Sequence, residues 1–344
     1  MNFINFFFKL ILVLLTIKNF VFGDTQCPTV PLISQDDRIN SNKLRLVQYN
    51  VEWLFIDQYN NCPGSGCTWS NQSEVQIHMN YVADVINDLE PDILNLCEVE
   101  GCDELNQLIN LTNNKFRPYL IKGTDSSTGQ NVGMLTLIDP IENLYRTEEH
   151  IDYPIDGSSC GYSGSAGSQG VSKHYITRFN IGNMVVSMIS AHLLAIPTDP
   201  TRCVEREAQA QVLQNKIFNL YLQGDEIILI GDINDYDNRI EDMNNDQPTS
   251  RVLDILKGIG GVYGGMYELY NVAQNIEKSD RYTEWYDQNS NCKVESNEFS
   301  MIDHILVTPN LYSKIAGAWI YHEYPQYCNT YDSDHYPVVV DFYL

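Results

Sequence analysis

The sequence predicts an α/β fold of the α+β type: a pair of mixed or antiparallel sheets flanked by helices, in one domain over residues 24–344. Three observations predict it. Strand-like and helix-like runs are mixed irregularly along the whole length, which argues against a regular βαβ series. Successive strand candidates are joined by short turns, the signature of hairpins. The 344 residues are 43% hydrophobic, with 22 Tyr, 12 Phe and 4 Trp, and show no repeat; that supplies one sizeable core rather than a solenoid.

The first strand lies in KLRLVQYNVEWLF, where Leu44 and Leu46 open an apolar run expected to end near Asn50. A helix follows in SEVQIHMNYVADVINDLEPD: Val75, Met79, Val82 and Ile86 recur at helical spacing, Ser73 with Gln76 makes a capping-box pattern, and Pro91 stops it. DILNLCEV reads as a buried strand and DELNQLINLTNN as a second amphipathic helix. NVGMLTLI, SKHYITRFNI and MVVSMISAHL are strands, the last two joined by a turn at Gly182 and Asn183. Before that pair, residues 157–170, GSSCGYSGSAGSQG, form a flexible Gly/Ser loop within the domain. A long helix covers residues 201–222, the strand EIILIGD comes next, and the chain is loop-rich through about Ser300. MIDHILVT and the terminal YPVVVDFYL complete the strands.

The opening MNFINFFFKLILVLLTIKNFVFG reads as a secretory signal over residues 1–23, cleaved near Gly23. An uncleaved membrane anchor is the alternative, but Lys18 and Asn19 interrupt a run that needs roughly 20 apolar residues to span a bilayer. The expected product is secreted and extracellular, or held in the lumen of the secretory or endolysosomal route, and is a glycoprotein with acceptors at Asn71 in NQS and Asn110 in NLT. Nine dispersed cysteines without metal-finger spacing fit disulfides in an oxidising compartment. Cys62 and Cys67 bracket PGSG and are expected to close a small loop; Cys97, inside an apolar strand, is expected to be the free thiol.

A net charge of −24 and a sequence pI near 4.4 exclude a binder that works through a broad basic face. They leave open an enzyme acting on phosphates, because carboxylates that hold divalent cations turn an acidic site into a cationic one.

Polar groups that follow or interrupt strongly apolar strands carry the chemistry. They are Asn50 after LVQY, Glu98 after LNLC, His192 in ISAHL, Asp232 and Asn234 in ILIGDIND, Asp303 in SMIDHILV, and Asp334 with His335 in YDSDHYPV. Singly, each is explained by a turn or a satisfied structural side chain. Together they imply one shared site, since burying an uncompensated charge costs several kcal/mol at about each such position.

The ordered set QYNVEW, CEVE, SAHL, GDIND, IDHILV and SDHYPV resembles the endonuclease/exonuclease/phosphatase superfamily of deoxyribonuclease-like, metal-dependent phosphodiesterases. The resemblance spans Asn50 to His335 and implies a four-layered α/β sandwich with the site at one edge of two packed sheets. It implies Glu98 as the main metal ligand with Asn50 beside it and Asp334 on the metal side. Asp232 and Asn234 would position the water and the scissile phosphate, and His192 would donate to the phosphate. His335, oriented by Asp303, would serve as general base or as charge partner to the phosphoryl oxygens. The implied cofactor is Mg²⁺, with Ca²⁺ or Mn²⁺ as alternatives, a hard cation suited to carboxylate and amide oxygens.

The implied activity is hydrolysis of DNA or RNA phosphodiester bonds by metal-assisted attack of water. Cleavage of sphingomyelin or another phospholipid, and a non-catalytic binding module, are the alternatives. The expected partner is a nucleic acid substrate, with a phospholipid as the other choice; no stable protein partner is expected, and the chain is expected to be a monomer. Glu100 stands where related nucleases often carry a basic residue, which favours single-stranded or smaller substrates over insertion into a DNA groove. No acid in NVGMLTLI is placed to pair with His192, and His304, next to Asp303 on its strand, is expected to face away and be structural. Tyr282 and Trp285 are expected in the core. Arg202, Glu205, Arg206 and Gln209 are expected on a solvated helix face with Glu/Arg pairing.

Overall fold

The computed structural model describes residues 26–56, 67–113, 115–325, 328 and 330–344. The expected signal at residues 1–23 and Cys62 lie outside the described residues.

In chain order the elements are β1 (Lys43–Leu54), α1 (Gln72–Leu89), β2 (Ile93–Val99), α2 (Cys102–Leu111), β3 (Arg117–Leu120), β4 (Asn131–Thr136), β5 (His150–Tyr153), β6 (Gly167–Gly170), β7 (His174–Ile181), β8 (Met184–His192), α3 (Pro200–Leu222) and β9 (Glu226–Asp232). They continue with α4 (Val252–Leu256), β10 (Tyr270–Asn271), β11 (Glu284–Trp285), β12 (Phe299–Ser300), β13 (Asp303–Val307), α5 (Pro309–Tyr312), β14 (Ile315–Ile320) and β15 (Val338–Tyr343). One sheet has the order β14-β15-β1-β2-β4-β3 and the other β10-β13-β9-β8-β7.

Period-two alternation explains how the layers pack. On β9, Ile228 and Ile230 join the core between the sheets, whereas Ile227 and Leu229 join a second core with Ala210, Leu213 and Ile217 of α3. On β13, Ile305 and Val307 face inward and Leu306 outward. Helix α1 covers the other sheet through Met79, Val82 and Ile86. The result is the four-layered sandwich, helices outside and two mixed sheets inside.

Several local expectations are corrected. Helix α1 is capped by Asn71, whose side chain accepts from the Ser73 and Glu74 amides, while Glu74 accepts from the Ser70 amide and hydroxyl. The cap therefore sits two residues before Ser73: Asn71 takes two first-turn amides, and Glu74 ties down the residue before the cap. Strand β1 does not end near Asn50 but runs to Leu54 through a register shift. The end of the Gly/Ser segment is the strand β6, paired with β5. Within residues 237–300 lie α4 and the short strands β10, β11 and β12, and β14 was not anticipated.

The helix face bearing Arg206 is not solvated. Its guanidinium is fully buried, donates to Asp235 Oδ2 at 3.1 Å, and reaches the carbonyls of Leu194, Ala195, Ile196 and Pro197. Gln209 accepts from the Leu194 amide. These two side chains latch the loop that follows His192, and fixed backbone acceptors satisfy a buried Arg as well as a carboxylate does.

Disulfides join Cys27 to Cys102, Cys160 to Cys203 and Cys292 to Cys328. Cys67 is disulfide-bonded and Cys97 is a free, buried thiol. No helix among the described residues is long and apolar enough to cross a membrane.

Candidate active site

Strand register assembles the centre. Parallel pairing of β8 with β9 sets His192 opposite Asp232, and antiparallel pairing of β13 with β9 sets Asp303 opposite the same residue. Gly231 makes this approach possible: its φ is 151°, and a Cβ there would lie 1.8 Å from the Ala191 carbonyl oxygen. Only glycine fits that backbone crossing.

The facing sheet contributes through bulges. β1 shifts register between Asn50 and Leu54, and β2 shifts against β4 between Cys97 and Val99. Glu52, Trp53 and Glu98 there, and Asn234 after β9, have φ of 47°, 51°, 68° and 54°. Non-glycine residues in this region are costly, and bulges re-aim side chains; both concentrate at functional sites.

The polar groups then meet. Asn50 Nδ2 donates to Asp232 Oδ2 at 3.0 Å and to Glu98 Oε1 at 3.3 Å, and lies 3.4 Å from His335 Nε2. Glu98 Oε2 accepts from the Trp53 amide at 3.0 Å. His192 Nε2 is 3.4 Å from Asp232 Oδ2 and 4.0 Å from Glu98 Oε1. Asp232 Oδ1 accepts from the Asn234 amide, and Asn234 Nδ2 donates to the Leu193 carbonyl. His335 Nδ1 donates to Asp303 Oδ2 at 2.7 Å, and its Nε2 is 4.0 Å from Asp334 Oδ1. Ser333 holds the turn, its hydroxyl donating to the Asn50 carbonyl and accepting from the His335 amide. All eight residues read from the sequence as candidates therefore fall in one cluster. The two expected glycosylation acceptors, Asn71 and Asn110, are exposed.

Three participants were not anticipated. Glu52 accepts from the Asp334 amide and from Thr68 Oγ1. Lys173, partly buried just before β7, donates to Gln130 Oε1, and the charges of Glu98, Asp125 and Asp232 act on it. Glu284 bridges His335 across backbone strands, and its charge acts on Asp232 and Asp334. The signals were an acid two residues after Asn50 in QYNVEW and a lysine opening a strand of an acidic chain.

Electrostatics divide the site. Burial, then Asp303, Glu284 and Glu98, push the Asp232 carboxyl well above its ordinary range, with His335 opposing. Burial, then Asp334 and Glu98, do the same to Glu52. Asp334 is pushed up to about 7 by burial and by Glu98 and Glu284. Burial opposes ionisation of His335, yet Asp303, Asp334 and Asp232 raise it well above the usual histidine range. His192 is pushed well down by burial, Lys173 and His335, so it is neutral; its Nδ1 has no partner among the described residues, in line with the missing acid.

The donor set fits a divalent cation. The charge of Glu98 raises the proton affinity of Glu52 and of Asp334, and Asp334 raises that of Glu52, which means clustered negative charge whose best neutraliser is a hard cation taking carboxylate and amide oxygens. Asp232, Asp303 and His335 also bring one donor atom each within 4.8 Å, but Asp303 and His335 are hydrogen-bonded to each other.

Other expectations resolve around the site. His304 faces away: Nε2 lies 2.9 Å from the Asp235 carbonyl and Nδ1 3.0 Å from Asn271 Nδ2. Trp285 is buried with its indole N–H on Glu298, and half-buried Tyr282 stacks on His322. Glu100 is buried and accepts from the Ile56 amide.

No protein-family model matches the chain, and no curated protein does. Solved structures do match. Truncated TDP2 from Caenorhabditis elegans is 15% identical with a TM-score of 0.53, covering 89% of this chain and 100% of that one. An AP endonuclease from Archaeoglobus fulgidus is 15% identical with a TM-score of 0.55, covering 88% and 100%. An endonuclease/exonuclease/phosphatase family protein from Leptotrichia buccalis is 13% identical with a TM-score of 0.52, covering 86% and 98%.

Proposed function

We propose that this chain, which has the endonuclease/exonuclease/phosphatase fold, is a divalent-metal-dependent phosphodiesterase that uses water as the nucleophile. The observation that carries the reading is the convergence of Asn50, Glu98, His192, Asp232, Asn234, Asp303, Asp334 and His335 from both sheets onto one edge. Nucleic acid is the first substrate class, because one similar structure is an AP endonuclease. Sphingomyelin or another phospholipid is the second; the buried acid Glu100 and the net charge of −24 favour substrates with few phosphates over a long duplex.

Glu98, with Glu52, Asp334 and Asn50, would hold the cation. Bound there, Mg²⁺, Ca²⁺ or Mn²⁺ would neutralise charge developing on the phosphoryl group. The remaining work belongs to the side chains. Asp232, placed by its bond to the Asn234 amide, orients water and takes its proton, a task its raised proton affinity suits. Neutral His192 lies across from Asp232 and binds a phosphoryl oxygen. Of the two roles expected for His335, charge partner fits better: Asp303 occupies Nδ1, and the surrounding carboxylates favour the imidazolium, leaving Nε2–H to meet the phosphate. Lys173 adds a second cation beside the same oxygens.

The same reading places the protein on the export route, with the signal at residues 1–23, one catalytic domain over 24–344 and glycans on Asn71 and Asn110. The described disulfides support it. The test is incubation of purified protein and Mg²⁺ with plasmid DNA, RNA and sphingomyelin vesicles. Cleavage of one class, abolished by His335→Ala, is expected. Absence of turnover on every phosphodiester would overturn the reading.

A further inference from the structure

Behind His335 lies a line of buried polar side chains that no step above uses. Tyr175 on β7 donates its hydroxyl to Asn95 Oδ1 at 2.7 Å; Asn95 on β2 donates Nδ2 to Gln48 Oε1 at 2.6 Å; Gln48 on β1 donates Nε2 to Asp303 Oδ1 at 3.0 Å. Gln48, Asn95 and Tyr175 are fully buried. The line crosses from one sheet to the other and ends on the carboxylate that holds His335.

Its direction is fixed by the donor inventory. The two protons of the Gln48 amide go to Asp303 Oδ1 and to the free thiol of Cys97 at 3.4 Å, so its oxygen must turn to Asn95. Asn95 then offers its amide nitrogen to Gln48 and its oxygen to Tyr175, whose hydroxyl is the terminal donor. Rotating either amide would set oxygen against oxygen in a dry interior, at a cost of about 1–3 kcal/mol per orphaned group. Every bond thus points toward Asp303. One of its oxygens is filled, leaving Oδ2 as the acceptor for His335.

We propose that Gln48, Asn95 and Tyr175 are positioning residues that orient Asp303, so that His335 keeps its Nδ1–H on Asp303 and presents Nε2–H to the substrate phosphate. A hydrophobic core would have packed these positions more simply; a polar line through the inter-sheet core is explained by what it terminates on. Cys97 gains a role as well, since the thiol accepts the second Gln48 proton. The catalytic consequence rests on the phosphodiesterase reading, whereas the orientation of His335 does not.

The experiment is proton and ¹⁵N NMR of protein labelled at histidine, run on wild type, Gln48→Leu and Tyr175→Phe, with bis(p-nitrophenyl) phosphate hydrolysis in Mg²⁺ measured alongside. In wild type the His335 Nδ1–H gives a slowly exchanging downfield proton signal. Gln48→Leu should lose or broaden that signal and lower kcat about tenfold with KM unchanged. Tyr175→Phe, the gentler change should Gln48→Leu misfold, should shift the signal in the same sense by less. A His335 signal identical in the folded variants and wild type would overturn the proposal. A variant-dependent signal without turnover in wild type would uphold the orientation and sink the phosphodiesterase reading instead.

Discussion

The two flanks of the site are built on opposite principles. Behind His335, each polar group has a partner: Tyr175, Asn95, Gln48 and Asp303 form an unbroken series of hydrogen bonds. In front, Glu52, Glu98 and Asp334 crowd together: the charge of Glu98 raises the proton affinity of Glu52 and of Asp334, and Asp334 raises that of Glu52. The first flank contributes rigidity; the second stores repulsion that a bound cation relieves. Catalytic sites are assembled at a cost to stability, and here that cost falls on one side only.

Breaking the satisfied flank should hurt most. Asp303→Ala leaves His335 and Gln48 facing no acceptor, and loss of one partner of a buried pair costs about 3–5 kcal/mol. Chemical denaturation should show that loss, and phosphodiester hydrolysis should fall about 10²–10⁴-fold. Glu98→Gln on the unsatisfied flank should separate the two quantities. It should reduce turnover at least about 100-fold, yet leave the metal-free protein as stable as wild type or more so, by about 1 kcal/mol.

Solution conditions sharpen the same contrast. Asp334, Glu52 and Asp232 bind protons more tightly folded than unfolded, so the unfolded state holds fewer protons above the ordinary carboxylate range. The contribution of these three carboxyls to metal-free stability should then fall as pH rises from about 4 to about 7, the value of Asp334, while the buried His78, His174 and His192, whose proton affinity is lowered, work in the opposite sense. His335 works in the same sense as the carboxyls: its folded value is raised, so its contribution is complete below 6.5 and is lost as pH climbs through that raised value. Mg²⁺ should reverse the loss, adding about 2.7 kcal/mol at one hundred times its Kd. Thermal melts of wild type and Asp334→Asn between pH 4.5 and 8, with and without Mg²⁺, isolate the site's contribution and check both signs. The smallest effect is expected at a helix cap that makes no hydrogen bond to either flank. Asn71→Ala removes the α1 cap at about 1 kcal/mol, measurable as a lower Tm with an unchanged rate.

The unsatisfied flank was the more legible of the two in the sequence. Glu98 and Asp334 stand at the ends of apolar strands, where a charged group is conspicuous, although Glu52 was missed; between the flanks, EIILIGD with Asp232 coincides with β9 residue for residue. Gln48 and Asn95 sit inside such strands, in LVQYN and ILNLC, and a neutral amide in a strand reads as an outward-facing position. That the outward face is covered by a second sheet is a tertiary fact, which periodicity alone does not carry. Arg206 was misread for the same reason: helical spacing assigns it a face but not what covers that face. The bulges at Glu52 and Glu98 left no local signal, because each requires a positive φ at a residue that does not favour one.

The most direct test of the central claim is hydrolysis of bis(p-nitrophenyl) phosphate by wild type and Glu98→Ala, each with Mg²⁺ and with the metal chelated. The account predicts turnover in wild type with Mg²⁺ alone and none in the other three conditions. Equal turnover with and without metal, or a Glu98→Ala protein as fast as wild type, would contradict it.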